Sequence, residues 1–324
     1  MPDNVLSSEL TRLENELSTK NTHLDLLTQI AIAATEPGTV GHLVRRALEL
    51  ICRANGWVIG QFWIVKENQN SVVCSDWYFA TKALPQFREA STDRKMSKGI
   101  GLPGRAWSTA LPVLIPEIDK ELGLAFTRKV AATESGIKSG FAFALKNGPF
   151  VTAVCEFFKF EAIELNKSDM LFYEKLGIYL ANLIAQREAE RALGQQQALY
   201  KIVLDHAYNA FICINEASLI TEWSTRAEEV FGWEKDDVLG KSLVEAIIPE
   251  RYRDAHIRGL FRYMTTGEGP VLNQPITVPA LHRNGTEIKI ELLIFPIEGI
   301  EAKRFGAFVI DLSKPRREPI VQLD

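Results

Sequence analysis

A long run without proline, residues 167–205, constrains the fold of this chain more than any other feature. The run is rich in Leu, Ala, Glu, Gln and Arg, the residues that lose least side-chain freedom in a helix. Ser168 stands where an N-cap residue is expected. The sequence therefore predicts one long helix, 167–205, that connects a domain before it with a second domain after it.

The same run carries a heptad seam, in which residues recur at alternating steps of four and three. Its members are Ile178, Asn182, Ala185, Ala189, Ala192, Gln196, Leu199 and Val203. The seam is weak because two polar residues interrupt it and alanines bury little area. We predict that this helix helps to pair two chains. The alternative is a helix whose first half docks on the upstream domain and whose second half is solvated.

A second heptad pattern lies at the N-terminus, within a predicted coiled-coil helix at 1–32. Its apolar positions are Leu6, Leu10, Leu13, Leu17, Leu24 and Leu27. Roughly three heptads of leucine favour pairing with another chain. The alternative is a single amphipathic helix that packs on its own domain.

Composition excludes several classes of protein. The 324 residues suffice for two domains, and a net charge of −4 gives no bias toward nucleic acid or an anionic membrane. No apolar run approaches the roughly 18 residues of a membrane-spanning helix, and the N-terminus lacks a signal peptide's pattern. Cys52, Cys74, Cys155 and Cys213 are scattered and predict reduced thiols. We therefore expect a cytoplasmic protein with neither nucleic acid nor a membrane as partner.

The region between the two helices has strand-like alternation at 57–65, 71–79, 140–145 and 150–158. Its motifs are W-x-x-G-x-x-W from Trp57, G-I-G-L-P-G-R-A-W from Gly99, L-P-V-L-I-P from Leu111, and V-C-E-F-F from Val154. In this order they resemble a GAF domain over residues 25–190. The resemblance implies an antiparallel sheet with helices and a small cavity. The candidate lining residues are Trp63, Cys74, Trp77, Trp107, Phe141 and Glu156. The alternative is that these aromatic residues are simply core.

One of these motifs also contains a dinucleotide-like pattern, G-x-G-x-x-G, at Gly99, Gly101 and Gly104. A Rossmann fingerprint follows a buried apolar strand and opens a helix. Here the preceding residues are TDRKMSK, and Pro103 lies inside the loop. The sequence therefore argues against dinucleotide binding at this loop.

After the long helix, strands are predicted at 209–215 and 218–223, then short helices, and then strands at 271–281, 286–296 and 304–312. The motifs here are A-E-E-V-F-G-W, D-D-V-L-G-K, I-I-P-E-R-Y-R-D-A-H, H-R-N-G-T and F-V-I-D-L-S. Together they resemble a PAS domain, which we place at 206–313. The resemblance assigns signal coupling to a D-[IL]-[ST] step, here Asp311, Leu312 and Ser313. Two prolines in the following segment, 314–324, predict a flexible tail that interrupts the usual onward helix.

The resemblance to PAS domains also implies a ligand cavity, with Trp223, Phe231, His256, Leu260 and Ile276 as candidate lining residues. Haem-binding PAS domains place their proximal histidine at a point similar to His256. Where they carry an arginine that contacts bound gas, this chain reads Leu-Asn-Gln-Pro-Ile at 272–276. We expect no cofactor, with haem as the alternative. Flavin is disfavoured because the matching region lacks the reactive cysteine, and bilin because no cysteine precedes a histidine.

These observations predict an α+β chain with two antiparallel-sheet sensory domains, GAF-like then PAS-like, joined by a long helix and preceded by a coiled-coil helix. No catalytic or metal-binding constellation is evident. We expect a non-catalytic sensor that binds a small ligand, forms a homodimer and acts with a kinase, response regulator or cyclase. The alternatives are the detached input region of a sensor histidine kinase or diguanylate cyclase, a haem-based gas or redox sensor, and a ligand-free interaction scaffold.

Overall fold

The amino-acid pattern of the long helix divides the chain into two parts, and the fold follows this division. A computed structural model describes residues 2–81, 84–92, 94–297 and 303–313, without the side chains of residues 2–12 and 15. Its two compact units are Met1–Ala192 and Leu193–Asp324. Each contains one antiparallel sheet flanked by helices. The predicted α+β fold class is confirmed.

Local capping signals set the helices at the start of the first unit. Helix α1 spans Pro2–Thr35 and helix α2 spans Val40–Asn55. The Thr39 hydroxyl caps α2 by accepting a hydrogen bond from the backbone N of His42 at 3.3 Å. Gly56 ends α2 in the left-handed region, at φ 66°.

The first unit's sheet has six strands in the order β3-β2-β1-β6-β5-β4. The strands are β1 (Ile59–Lys66), β2 (Ser71–Phe79), β3 (Lys95–Ser97), β4 (Val113–Ile115), β5 (Ser139–Asn147) and β6 (Phe150–Lys159). Three short helices connect them, α3 (Pro85–Glu89), α4 (Gly101–Thr109) and α5 (Lys129–Glu134). Both faces of the sheet are covered. One core includes Phe141, Phe157 and Tyr173 with residues of α1 and α2, and the other includes Trp63, Trp107 and Phe158.

The glycine-rich loop before α4 serves backbone packing. The N–H of Gly99 donates to the carbonyl oxygen of Gly104 at 2.8 Å. A Cβ at Gly104 would lie 2.3 Å from the carbonyl oxygen of Ser97, so only glycine fits there. The preceding strand, β3, is three residues long and antiparallel to β2. The loop therefore lacks the strand that a Rossmann fingerprint requires.

The long helix is present as α6, Lys167–Asp205, and its two halves differ in burial. Its start is capped by Asn166, whose side-chain oxygen accepts from the backbone N of Ser168 at 2.8 Å and of Asp169 at 3.0 Å. The prediction of Ser168 as cap is wrong because Ser168 already lies inside the helix. The buried residues of α6 all lie between 173 and 181. Leu199 and Val203, on the predicted seam, are 62% and 59% exposed.

The second unit has a five-stranded sheet in the order β8-β7-β11-β10-β9. The strands are β7 (Ala210–Asn215), β8 (Ile220–Trp223), β9 (Pro275–Leu281), β10 (Glu287–Ile297) and β11 (Arg304–Asp311). The helices are α7 (Thr225–Phe231), α8 (Lys235–Val238), α9 (Leu243–Ile247) and α10 (Glu250–Thr266). The strand predicted to begin at 271 begins only at Pro275, because Asn273 adopts a left-handed φ of 58°.

Candidate functional site

Helix α10 of the second unit encloses an apolar cavity. Pro249 lies immediately before the helix and Gly267 ends it with a left-handed φ of 74°. None of the residues in α10 is fully buried, because its inner side faces open space. Leu260, Tyr263 and Met264 of α10 still pack against the core, so the helix closes one side of the cavity.

The cavity has a volume of about 660 Å³, within the range of small-molecule sites. Most of its lining is aliphatic or aromatic. The lining includes Ile212, Ile214, Leu260, Tyr263, Ile276, Val278, Ile290, Leu292, Phe305 and Ala307. Such a surface favours an apolar ligand, since burying apolar area is the main driving force available there.

His256 of α10 supplies a polar group at this cavity. Its Nδ1 atom is buried and has no hydrogen-bond partner among the described residues. Burial lowers the pKa of His256 below its ordinary value of 6.5. The imidazole is therefore neutral at physiological pH, and its two ring nitrogens provide one hydrogen-bond donor and one acceptor.

Three of the five residues predicted for this cavity, His256, Leu260 and Ile276, do line it. The lining of this cavity does not include the other two, Trp223 and Phe231. Both are buried, their rings are 5.4 Å apart, and the indole N–H of Trp223 donates to the carbonyl oxygen of Trp233 at 3.1 Å. These two side chains are held in the packed part of the core and do not reach the cavity.

Sequence reasoning missed Tyr263 and Ala307, which also line the cavity. Tyr263 could have been predicted from the sequence, because it lies seven residues after His256 and three after Leu260 on the same helix face. Ala307 gave no signal, since a single alanine in a strand does not indicate a cavity.

In the first unit, three of the predicted ligand residues do come together. The indole N–H of Trp63 donates to Oε2 of Glu156 at 2.9 Å, and both side chains are buried. Cys74 lies opposite Trp63 in the β1–β2 register. Burial raises the pKa of the Cys74 thiol, so this thiol is not a reactive thiolate.

The other three predicted residues are arranged differently. Trp107 belongs to the same core as Trp63, whereas Phe141 belongs to the opposite core. Its ring contacts Tyr173 of α6, with ring centroids 4.6 Å apart. Trp77 is partly buried and stacks on Phe79 at 5.6 Å. The six residues therefore do not line a common cavity.

The interior next to Trp63 is occupied by Arg128, a residue that sequence reasoning missed. Arg128 is 2% exposed and precedes α5. Its Nη1 donates to Gln61 at 2.9 Å and to Ser91 at 2.8 Å, and its Nη2 forms an ion pair with Glu156. Burial raises the pKa of Glu156, an effect that Arg128 and Trp63 oppose.

The described residues contain no group of three or more acidic, histidine or cysteine side chains placed to hold a metal ion. All four cysteines are free. The predicted signal-coupling residues lie at the end of β11, where Oδ1 of Asp311 accepts from the backbone N of Ser313 at 2.9 Å. The N–H of Leu312 donates to the carbonyl oxygen of Lys289 at 2.9 Å. Their role in coupling stays a prediction. The predicted flexible tail, 314–324, lies outside the described residues.

The second unit combines an antiparallel five-stranded sheet with a ligand-sized cavity beneath a helix. This is the arrangement that the resemblance to PAS domains predicts for this half of the chain. Residues 198–312 match the family model of the PAS fold. This part of the chain is therefore similar to PAS domains, as its motifs predict.

Two curated relatives align with less than half of the chain. One is an uncharacterized protein of Azorhizobium caulinodans, 31% identical over 141 residues, which are 44% of this chain and 19% of that relative. The other is the sensor protein FixL of Bradyrhizobium diazoefficiens, 28% identical over 138 residues, which are 43% of this chain and 27% of FixL. The chain thus spans about a fifth to a quarter of the length of these relatives.

Among solved structures, the chain is similar to the GAF domain of a phosphoenolpyruvate-protein phosphotransferase from Coxiella burnetii. The identity is 15%, the TM-score is 0.43, and the match covers 53% of this chain and 97% of that domain. The family match and the FixL relative support the predicted sensory, signal-transduction type of the PAS-like part of the chain. In the described part of the chain, no helix combines the length and apolarity needed to cross a membrane.

Proposed function

We propose that this chain is a non-catalytic sensor whose PAS domain binds a small, largely apolar molecule. The cavity beneath α10 carries this proposal, because it is apolar and of ligand size. Its unpartnered imidazole selects among apolar ligands those with one hydrogen-bonding group placed near His256. Aromatic alcohols, aromatic acids and medium-chain fatty acids have this combination.

Binding passes a signal only if the ligand prefers one conformation of the domain. Helix α10 is the element that responds, since residues His256, Leu260 and Tyr263 all border the cavity and none is fully buried. A ligand that contacts them adds packing that the free helix lacks.

The experiment is a binding titration with defined probes: indole-3-acetic acid, decanoic acid and decane. The full chain is compared with Ala307→Phe, which fills the cavity, and with Ala198→Phe on the exposed part of α6 as a control. We expect at least one polar-headed probe to raise the thermal midpoint of the wild type and of Ala198→Phe only. The proposal fails if no probe binds, or if Ala307→Phe binds as well as the wild type.

We further propose that the chain is a homodimer paired through α1 and the exposed seam of α6. Leu13, Leu17 and Leu24 of α1 are 58%, 61% and 62% exposed, and the exposed seam of α6 includes Leu199 and Val203. Leucines at heptad spacing with this much exposed surface are typical of a helix that pairs.

Sedimentation of the full chain tests this pairing. We expect a dimer at micromolar concentration and a monomer in the variant Leu199→Glu/Val203→Glu. Gln197→Glu, which adds a charge to the opposite face of the same helix, serves as the control and should stay dimeric. A monomeric wild type refutes the pairing.

Haem is a second candidate ligand, because His256 places an imidazole at an apolar cavity. The residues present fit an axial ligand, with Leu272 and Ile276 among the apolar residues at the wall. His256 would hold the iron, which would supply gas binding or redox chemistry. An intense Soret band after hemin addition, absent in His256→Ala, would replace the apolar-ligand proposal. A bare protein spectrum would remove haem from consideration.

We propose a kinase, response regulator or cyclase as the output partner. The FixL relative supports a sensory role and names no partner. Two alternatives remain, namely that this chain is the detached input region of such an enzyme or that it is a separate regulatory chain. The gene sequence beyond Asp324 distinguishes them. A ligand-free scaffold predicts native mass spectra without a small molecule and no thermal shift with any probe.

A further inference from the structure

The interior of the first unit contains a site built to hold a cation. Glu156 supplies a carboxylate that is 0% exposed, and Gln61 and Ser91 supply oxygen atoms at 2.9 Å and 2.8 Å from Nη1 of Arg128. Four aromatic rings complete the site. Their centroids lie 5.1–5.4 Å from the guanidinium carbon of Arg128, and they belong to Trp63, Phe87, Phe126 and Phe158.

The contribution of these residues to stability does not by itself explain why they are arranged in this way. A buried ion pair is frequently no more stable than apolar side chains of the same volume. Two polar atoms of the site, Nε of Arg128 and Nε2 of Gln61, are buried without a partner in the described part of the chain. An unpaired buried group is costly, so the cluster is not optimised as a structural core. Aromatic rings around a desolvated cation, with a carboxylate beside them, are the usual means of binding cationic ligands.

We propose that Arg128 is a built-in occupant of a guanidinium-binding site in the first unit. Its side chain takes the position that a free guanidinium or alkylguanidinium ligand would take, with Glu156 as the counter-charge. In the intact chain the site is therefore closed to exogenous cations. The first unit then works as a pre-filled framework, and small-molecule binding falls to the second unit.

The position of Arg128 in the chain suits such an occupant. It immediately precedes α5, which is six residues long, while the carboxylate and the amide come from the sheet, on β6 and β1. The neighbouring Lys129 points elsewhere, since its Nζ donates to the carbonyl oxygens of Asp119 at 2.6 Å and Glu121 at 2.9 Å. One short segment thus inserts a single side chain between the sheet, which supplies the carboxylate and the amide, and α3, which supplies Phe87.

The experiment is chemical rescue of the full-length Arg128→Ala variant with guanidinium and methylguanidinium at low millimolar concentration. Equal concentrations of NaCl control for ionic strength, and urea controls for the neutral analogue. We expect a saturable rise of several degrees in the thermal midpoint of Arg128→Ala with the two guanidinium ions only. Wild type and Arg128→Ala/Glu156→Gln should show no such rise.

No rise above the NaCl control, or an equal rise in the double variant, overturns the proposal. If Arg128→Ala does not fold alone, it is refolded from urea with and without guanidinium at the same concentrations. Recovery of native circular dichroism with guanidinium only, and only when Glu156 is present, supports the site. Absence of recovery overturns it. A wild-type midpoint that rises with methylguanidinium also overturns it, because the site would then be open.

Discussion

The two sheets enclose their inner volumes in different ways. In the first unit, the space beside Trp63 is filled by a buried ion pair, Arg128–Glu156, within a ring of aromatic side chains. In the second, the space beneath α10 is a cavity of about 660 Å³ bordered by His256, whose buried Nδ1 has no hydrogen-bond partner in the described part of the chain. A filled interior resists change because any added or removed atom alters close packing. A hollow interior accepts a ligand. This difference supports the proposal that the second unit, and not the first, receives a ligand.

The largest expected effect comes from breaking the buried ion pair. Arg128→Leu leaves the Glu156 carboxylate without its cation, which costs about 3–5 kcal/mol of unfolding free energy for a buried pair. Arg128→Leu/Glu156→Leu removes both charges and should recover most of this loss. Urea denaturation at neutral pH measures both variants. A single variant as stable as the wild type would show that the pair does not hold the first unit's interior.

The next effect concerns the packed half of α6. A Cβ at Gly177 would lie 2.1 Å from the carbonyl oxygen of Ala144, so Gly177→Ala forces helix and sheet apart and should cost about 1–3 kcal/mol. Gly194 on the same helix has nothing within 4 Å of the equivalent position. Gly194→Ala is the matched control and should stabilise the protein by about 0.5–1 kcal/mol. Equal signs for the two variants would contradict the difference between the halves of α6.

The most direct test of the difference between the two interiors is to replace one alanine by leucine in each unit. Ala142→Leu adds three carbons to the packed core of the first unit and should cost about 1–3 kcal/mol. Ala307→Leu places the same atoms in the cavity of the second unit, where they gain apolar contacts, and should cost less than about 1 kcal/mol or stabilise. Chemical denaturation measures the difference. Equal costs would mean that the cavity collapses or is otherwise filled in solution.

The sequence predicted the second unit's site better than the first unit's for physical reasons. His256 and Leu260 are four residues apart on one amphipathic helix, so local periodicity places them on the same side. In β5 nearly every residue is buried, and no alternation shows which face Phe141 takes. The buried position of Arg128 cannot be predicted from local sequence patterns, because its partner Glu156 lies 28 residues away and its neighbour Lys129 has the same charge. Buried long-range pairs leave no periodic signal.

The smallest effect concerns the contact between α1 and α6 within the first unit. His23 stacks on Phe172 with ring centroids 3.6 Å apart, and its Nε2 is 4.0 Å from Oδ1 of Asp169. Burial lowers the pKa of His23 from its ordinary value of 6.5, an effect that Asp169 partly opposes. Below that pH the unfolded chain binds the proton more readily than the folded chain, so stability is full above pH 6.5 and decreases as the pH falls toward the folded-state pKa.

His23→Phe keeps the stacking and removes the titration. We therefore expect the urea midpoint of the wild type to decrease more than that of His23→Phe between about pH 7.5 and about pH 5.5. All other side chains are the same in the two proteins, so their contributions cancel in the difference. If the two midpoints decrease equally, protonation of His23 is not linked to folding, and the contacts that hold α1 in the first unit, such as those of Leu26 and Ile30, do not depend on it.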